Sequence, residues 1–383
     1  MDRLAADGNA RIVGVVRAGV GLAAVMELVA SGPRILALAD PAAVRIPILD
    51  PVASVFYAAA PLIVVAWLVA GLAFAVGYRT TISGIVLGMV LLGMELADQQ
   101  LYNNHTYLIA VAVLLLVAAG AGSAFSLDAR RTGTDARPIP AWTIYALRAQ
   151  LSIVYLFAAL AKMNPSFLSG SVIAASLRRE GIAIPEALIT FEPMFVMSIA
   201  VISAELFLAF ALWSPRWRPA GFVVGLALHA GIVAVMYSAW DLATFGVATL
   251  ALYVAFIPAA RGGRSVVWDD SCSFCKTWVR WFRRLDWLDA LRFVPLSRLK
   301  ESGLPVREDD ALEAVHVIGP RRITRGFAAV TDVLAVAPLG FLWAPLLRIR
   351  PIAAVGERAY RRVAERRTCA IHPQGEVADV RAV

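Results

Sequence analysis

The sequence predicts a polytopic α-helical membrane domain of about eight spans followed by a small α/β thioredoxin-like domain. Three observations predict it. The 383 residues are 60% hydrophobic and only 17% charged, with a mean hydropathy of +0.70, whereas soluble chains are roughly 45–50% apolar. Before residue 261, apolar runs repeatedly reach the roughly 20 residues that a hydrocarbon core of about 30 Å requires. From Arg261 onward the pattern changes to short β-type runs and an amphipathic helix. The domains are expected at 10–260 and 264–367, with a tail over 368–383.

The apolar runs place spans at 12–30, 52–76, 81–97, 106–125, 141–163, 192–213, 217–236 and 241–260, with an interfacial stretch near 171–190. The first run is longer than a signal-peptide core and leads into further spans, so it reads as retained. With an even number of crossings, Arg3, Arg11, Arg79, Arg130, Arg131, Arg137, Arg216, Arg218, Arg261 and Arg264 fall on one side. Arg34, Arg45, Arg178 and Arg179 fall on the other. Basic loops stay inside, which predicts a multi-pass protein of the cell or inner membrane with both termini cytoplasmic. Topology also accounts for the net charge of +8. The basic residues form no stripe interleaved with aromatics, so membrane lipid is the expected partner and nucleic acid is not.

Behind the spans, Ser265–Trp268 reads as a buried strand and Cys272 and Cys275 fall on the turn after it. Trp278, Trp281, Phe282, Leu285 and Leu288 then recur at helical spacing, with Arg280, Arg283, Arg284 and Asp286 on the other face. Strands are expected at Leu291–Leu296, Ala314–Gly319 and Arg321–Arg325, the last two joined by Gly319-Pro320, and a helix at Phe327–Ala337.

Ionisable groups at membrane depth are costly and mark function by default. His105, Lys162 and His229 fit that description, and the alternation of spans brings all three towards the outer face. Arginine occurs 33 times and lysine three times, and Lys162 is the only lysine before residue 276. An arginine cannot give up its proton, whereas a desolvated lysine can act as a general base. The plainer reading of Lys162 is a snorkelling anchor at a helix end. Asn103 and Asn104 read equally as helix caps beside an interface histidine, and His229 as one end of an interhelical hydrogen bond.

The segments Tyr102-Asn-Asn-His-Thr-Tyr-Leu108 and Tyr155-Leu-Phe-Ala-Ala-Leu-Ala-Lys-Met-Asn-Pro-Ser-Phe-Leu-Ser-Gly170 resemble the two signatures of the HTTM family. Its best known member is the vitamin K-dependent gamma-glutamyl carboxylase. The resemblance implies that Lys162 deprotonates a reduced, vitamin K-like quinone and that His105 stabilises the developing anion. Asn103, Asn104, Tyr107, Tyr155 and His229 are the expected substrate-binding residues. Phe167 replaces the usual tryptophan, and nothing after residue 260 resembles the carboxylase's lumenal domain. Quinone oxygenation is therefore expected in preference to peptide carboxylation.

Cys272-Ser-Phe-Cys275 sits between a strand and a helix, where the helix dipole, Lys276 and Arg280 favour thiolate. The alternative is a zinc set joining Cys272 and Cys275 to Cys369 and His372. Asp269-x-x-Cys-x-x-Cys275, Leu291-Arg-Phe-Val-Pro-Leu296, Val315-His-Val317, Arg325-Gly326 and Ala359–Arg367 resemble the DCC family of thiol-disulfide oxidoreductases. The resemblance implies that Cys272 and Cys275 are catalytic, with a redox disulfide, a thiol-redox protein as partner and no metal. Asp270 stands where that family usually has glycine, a place where a positive φ would strain aspartate. The leading expectation is a membrane oxidoreductase; the rival is a transporter or scaffold with a proton or solute site and a regulatory or zinc-binding cysteine domain.

Overall fold

The structure, a computed structural model, describes residues 7–133, 137–182, 185, 190–236, 240–320, 322–338 and 340–365. It divides into two compact units, Met1–Pro258 and Ala259–Val383.

The first unit is a helical bundle. Its long helices are α1 (Ala10–Leu38), α2 (Asp50–Ala58), α3 (Ala60–Val76), α4 (Thr80–Ala97) and α5 (Asn104–Ala118). The short α6 (Leu127–Thr132) precedes α7 (Ala141–Lys162), and α8 (Pro165–Leu168) and α9 (Ser171–Arg179) follow it. The unit ends with α10 (Phe191–Ala211), α11 (Arg218–Val235) and α12 (Trp240–Tyr253). A two-residue pairing joins β1 (Asp7–Gly8) to β2 (Ile139–Pro140).

Among the described residues four helices are long and apolar enough to cross a membrane: Ala10–Leu38, Thr80–Ala97, Ala141–Lys162 and Glu192–Ala211. The expected span 52–76 is instead two helices meeting at 87°. Pro61 explains the break, because it removes an amide hydrogen and disfavours helical geometry just before it. Three more apolar helices, Asn104–Ala118, Arg218–Ala234 and Leu242–Phe256, have only 10–17 residues. Length and composition therefore support four spans, or five with the bent pair, where about eight were expected.

The loops sort to two ends of the bundle. At one end Asp128 accepts from the amides of Arg79 and Thr80, and Arg17 donates to the carbonyls of Phe74 and Phe125. At the other end Pro47 pairs with Asp98, which accepts from Ile46 N and, at 2.6 Å, from the Tyr57 hydroxyl.

The second unit is a βαβ segment followed by a ββα segment. Strand β3 (Arg264–Trp268) leads into α13 (Ser273–Leu285) and then into β4 (Leu291–Pro295), parallel to β3. After α14 (Leu299–Ser302) and α15 (Glu308–Glu313), β5 (His316–Ile318) and β6 (Ile323–Arg325) add antiparallel on the other side. The strand order is β4-β3-β5-β6. Helices α16 (Gly326–Leu334), α17 (Gly340–Trp343) and α18 (Arg350–Glu365) complete it. Buried Asp332 on α16 ties the strand end to the helices, accepting from Arg322 at 2.6 Å, from Thr324 at 2.8 Å and from Arg348.

Candidate functional site

In the first unit three polar clusters lie among apolar helices. The first is an ion pair. Lys162, the last residue of α7, donates to Glu205 Oε1 of α10 at 2.8 Å. Its ammonium also lies 5.9 Å from the centre of the Phe167 ring. Glu205 is only 5% exposed, and its Oε2 finds no hydrogen-bond partner among the described residues. The Lys162 side chain keeps 29% of its surface open. Such a pair has no net charge as ammonium and carboxylate, nor as amine and carboxylic acid. A proton can thus pass along 2.8 Å without creating charge.

The second cluster surrounds His229. Its Nε2 shares a hydrogen bond with the Tyr155 hydroxyl at 2.8 Å and meets the Thr249 hydroxyl at 3.1 Å. Tyr155 also bonds the Tyr253 hydroxyl at 2.8 Å. Gly225 makes this possible, because a Cβ there would sit 1.8 Å from the Tyr253 hydroxyl oxygen.

The third cluster is the fully buried Glu27 carboxylate of α1. It accepts from Ser31 at 2.7 Å, Thr106 at 3.4 Å and Thr244 at 2.5 Å. Phe245 lies between the two histidines, its ring centre 4.7 Å from that of His105 and 5.6 Å from that of His229.

The predicted residues are thus divided. Tyr155 and His229 meet directly. Lys162 lies seven residues beyond Tyr155, about 10 Å along the same helix, and its partner is Glu205. Asn103 caps α5, its Oδ1 accepting from His105 N at 2.9 Å, while its own amide donates to Glu95. Asn104 accepts from the Tyr102 hydroxyl at the exposed surface, and Tyr107 is exposed. Sequence reasoning missed Glu27, Glu95 and Glu205. The signal was present, since each is a carboxylate inside an apolar helix.

In the second unit Cys272 is the N-cap of α13 and Cys275 lies in its first turn. Asp269 accepts from the amide and hydroxyl of Ser271, closing the turn. Asp270 holds the turn to the loop after β4, accepting from Ser297 N at 3.1 Å and Ser297 Oγ at 2.7 Å. Burial acts to raise its carboxyl, but these bonds and nearby Lys276 outweigh burial and hold it below the usual carboxylate range. Among the described residues the non-glycine ones with positive φ are Arg79, Phe125 and Asp289, so the turn places no such demand on Asp270.

A cavity of about 280 Å³ opens beside Cys275. Phe274 and Trp278 of α13, Phe327 of α16, and Tyr360 and Val363 of α18 contribute to its wall. Among the described residues no three His, Cys, Asp or Glu side chains converge as a metal site. Cys369 and His372, which the zinc reading needs, lie outside the described residues.

The sequence model of the HTTM domain matches residues 7–259, and that of the DCC1-like thiol-disulfide oxidoreductase matches residues 266–370. No curated protein and no solved structure matches the chain.

Proposed function

Because the chain belongs to the HTTM family over residues 7–259 and carries a DCC1-like thiol-disulfide oxidoreductase domain behind it, we propose a division of labour between the two. The membrane domain takes a proton from a quinol or similar lipid-soluble substrate, and Cys272 and Cys275 exchange thiols for disulfide. At the coarser level the two domains make this a membrane redox protein. We read the βαβ–ββα unit as thioredoxin-like, the shorter apolar helices as further crossings, and both termini as cytoplasmic.

The observation that carries the membrane reading is the Lys162–Glu205 pair, with one carboxylate oxygen unpartnered among the described residues. Internal transfer leaves a Lys162 amine beside a protonated Glu205; that amine takes the hydroxyl proton, and the pair ends as ammonium and carboxylic acid, its one positive charge set against the quinol anion. Phe167 offers an aromatic face beside the ammonium, which suits a flat ring. His105, against Phe245, is the group assigned to steady the developing negative charge. A quinol, when bound, supplies the ring whose oxidation drives the chemistry.

The test is hydroquinone oxidation in membranes that contain the full chain. Lys162→Arg keeps a cation and a partner for Glu205 but cannot release its proton at working pH, so turnover should fall at least a hundredfold with expression unchanged. Full turnover in this variant would make Lys162 an anchor.

A second reading, transport of a proton or solute, is favoured by the buried Glu27 carboxylate with its three hydroxyl donors. Proton flux into vesicles that depends on Glu27 and proceeds without quinone would replace the first reading.

A further inference from the structure

We infer that the second unit docks on an anionic bilayer surface through α13 and α18, two amphipathic helices whose exposed apolar stripes border one cavity. The inference goes beyond the redox reading and depends on neither the thiol nor the quinol chemistry.

Helix α13 carries the first stripe. At 3.6 residues per turn, Phe274, Trp278 and Trp281 fall within an arc of about 60°. All three are exposed, Trp281 to 56% of its surface. Val279 and Phe282 turn the other way and are buried in the unit. The segment Ser273–Leu285 also holds Lys276, Arg280, Arg283 and Arg284, and it contains no acidic residue. Arg284 and Arg280 fall next to Trp281, at one edge of the stripe.

Helix α18 repeats the arrangement. Ile352, Val355 and Val363 share an arc of about 80° and are exposed, Val355 to 62% of its surface. Arg362 and Arg358 fall next to Val355, as Arg284 and Arg280 do next to Trp281. The other edge of α18 is fastened to the unit. There the Tyr360 hydroxyl accepts from Val315 N at 3.0 Å, and Glu357 accepts from Phe327 N at 3.2 Å. The two stripes meet at one opening, since Phe274 and Trp278 of α13 and Val363 of α18 all stand in the wall of the cavity described above.

Exposed apolar surface gathered in this way marks a contact with protein or membrane, and three features choose the membrane. Tryptophan beside an apolar stripe edged by arginines is the composition of helices that lie in the headgroup layer. Arginine stems can follow the apolar surface while their guanidinium groups reach lipid phosphate. The chain also brings its own bilayer, because β3 begins soon after α12 of the HTTM domain ends. A surface tied so closely is met at high effective concentration, and little intrinsic affinity is needed. Each basic residue near an anionic surface adds about fivefold to that affinity, which sets anionic lipid apart from neutral lipid.

The experiment is hydroxyl-radical footprinting of the full chain in nanodiscs, read residue by residue by mass spectrometry. One preparation contains phosphatidylcholine alone, and in the other about a third of the lipid is phosphatidylglycerol. Trp278 and Trp281 should be oxidised about threefold less in the anionic discs, and the difference should shrink at about 0.5 M salt, where charges are screened within a few ångströms. Arg280→Glu/Arg284→Glu should abolish the difference, and so should Arg358→Glu/Arg362→Glu on the other helix. Buried Phe282 should stay unoxidised in both variants, which shows that the unit is folded. Lys300→Glu/Arg307→Glu reverses two well-exposed charges outside both helices and should leave the difference intact. Equal, high oxidation in the two lipids would leave the stripes in water and overturn the inference. Equal, low oxidation that persists in detergent would overturn it too, by showing that protein covers them, from this chain or from a second copy. A difference that survives both reversals on the helices, or one lost in the Lys300/Arg307 control, would also overturn it.

Discussion

Removing either member of the Lys162–Glu205 pair should destabilise the bundle by unequal amounts, and the inequality follows from burial. Glu205 is 5% exposed and has one oxygen already without a partner among the described residues. Lys162→Met would leave this carboxylate stranded in an apolar wall, at a cost of about 3–5 kcal/mol. Glu205→Gln leaves the opposite residue with 29% of its side chain open, so the ammonium can turn outward. Its cost should then be closer to the 1.5–3 kcal/mol of one hydrogen bond to a charged group. The double variant Lys162→Met/Glu205→Gln strands no charge and should be no less stable than Lys162→Met alone. The measurement is denaturant unfolding of the full chain in detergent, followed by far-ultraviolet circular dichroism for the wild type and the three variants. Equal costs for the two single changes, or a double variant that matches their sum within about 0.5 kcal/mol, would refute the argument that burial of Glu205 sets the energetics.

Other expectations concern the second unit and the topology. Asp332→Ala removes the shared acceptor of Arg322, Arg348 and Thr324 and should cost about 2–3 kcal/mol, near the range for a hydrogen bond to a charged group, since both arginines keep partial access to water. Calorimetry that finds no change in the unfolding of this unit would count against it. His316 is held below its ordinary value by burial, with Arg325 adding to the effect against the Ala314 carbonyl. The unfolded chain therefore binds the proton more readily, and His316 contributes stability that is intact above about pH 6.5 and lost as the pH falls below it. His316→Gln should flatten that part of the pH profile, and an unaltered slope would exclude the assignment. For topology, a cysteine replacing exposed Leu127 should resist membrane-impermeant thiol reagents in intact cells and react after permeabilisation. Labelling in intact cells would invert the proposed orientation.

The βαβ–ββα unit was the most legible part, because its strands alternate with clear turn residues and the α13 stripe repeats at helical spacing. What was missed there is the short α14, α15 and α17 and the longer α18. Ile352, Val355, Ala359 and Val363 do fall on one stripe, but they are sparse among arginines and leave the helix with no fully buried residue. In the membrane domain hydropathy located the apolar runs but not their geometry. A window over 52–76 averages across Pro61 and hides an 87° bend. Composition also masked the carboxylates, since one Glu205 in a 21-residue apolar helix scarcely lowers its mean. Which lysine meets which glutamate depends on the rotation of α7 against α10, and single-sequence periodicity does not fix rotation between helices that are apolar almost all round.

Gly225 carries no functional group, yet it decides the shape of the His229 cluster. The Tyr253 hydroxyl occupies the space where a side chain would begin, so the position works as a keyhole cut to the outline of one oxygen atom. A single methyl group there would push that oxygen away from Tyr155 and break the chain of hydroxyls that reaches the imidazole. The change would leave every chemically active residue in place and its effect on the cluster would still resemble the loss of one. Variation at 225 among related chains is therefore a better guide to whether they share this arrangement than the presence of the tyrosines themselves.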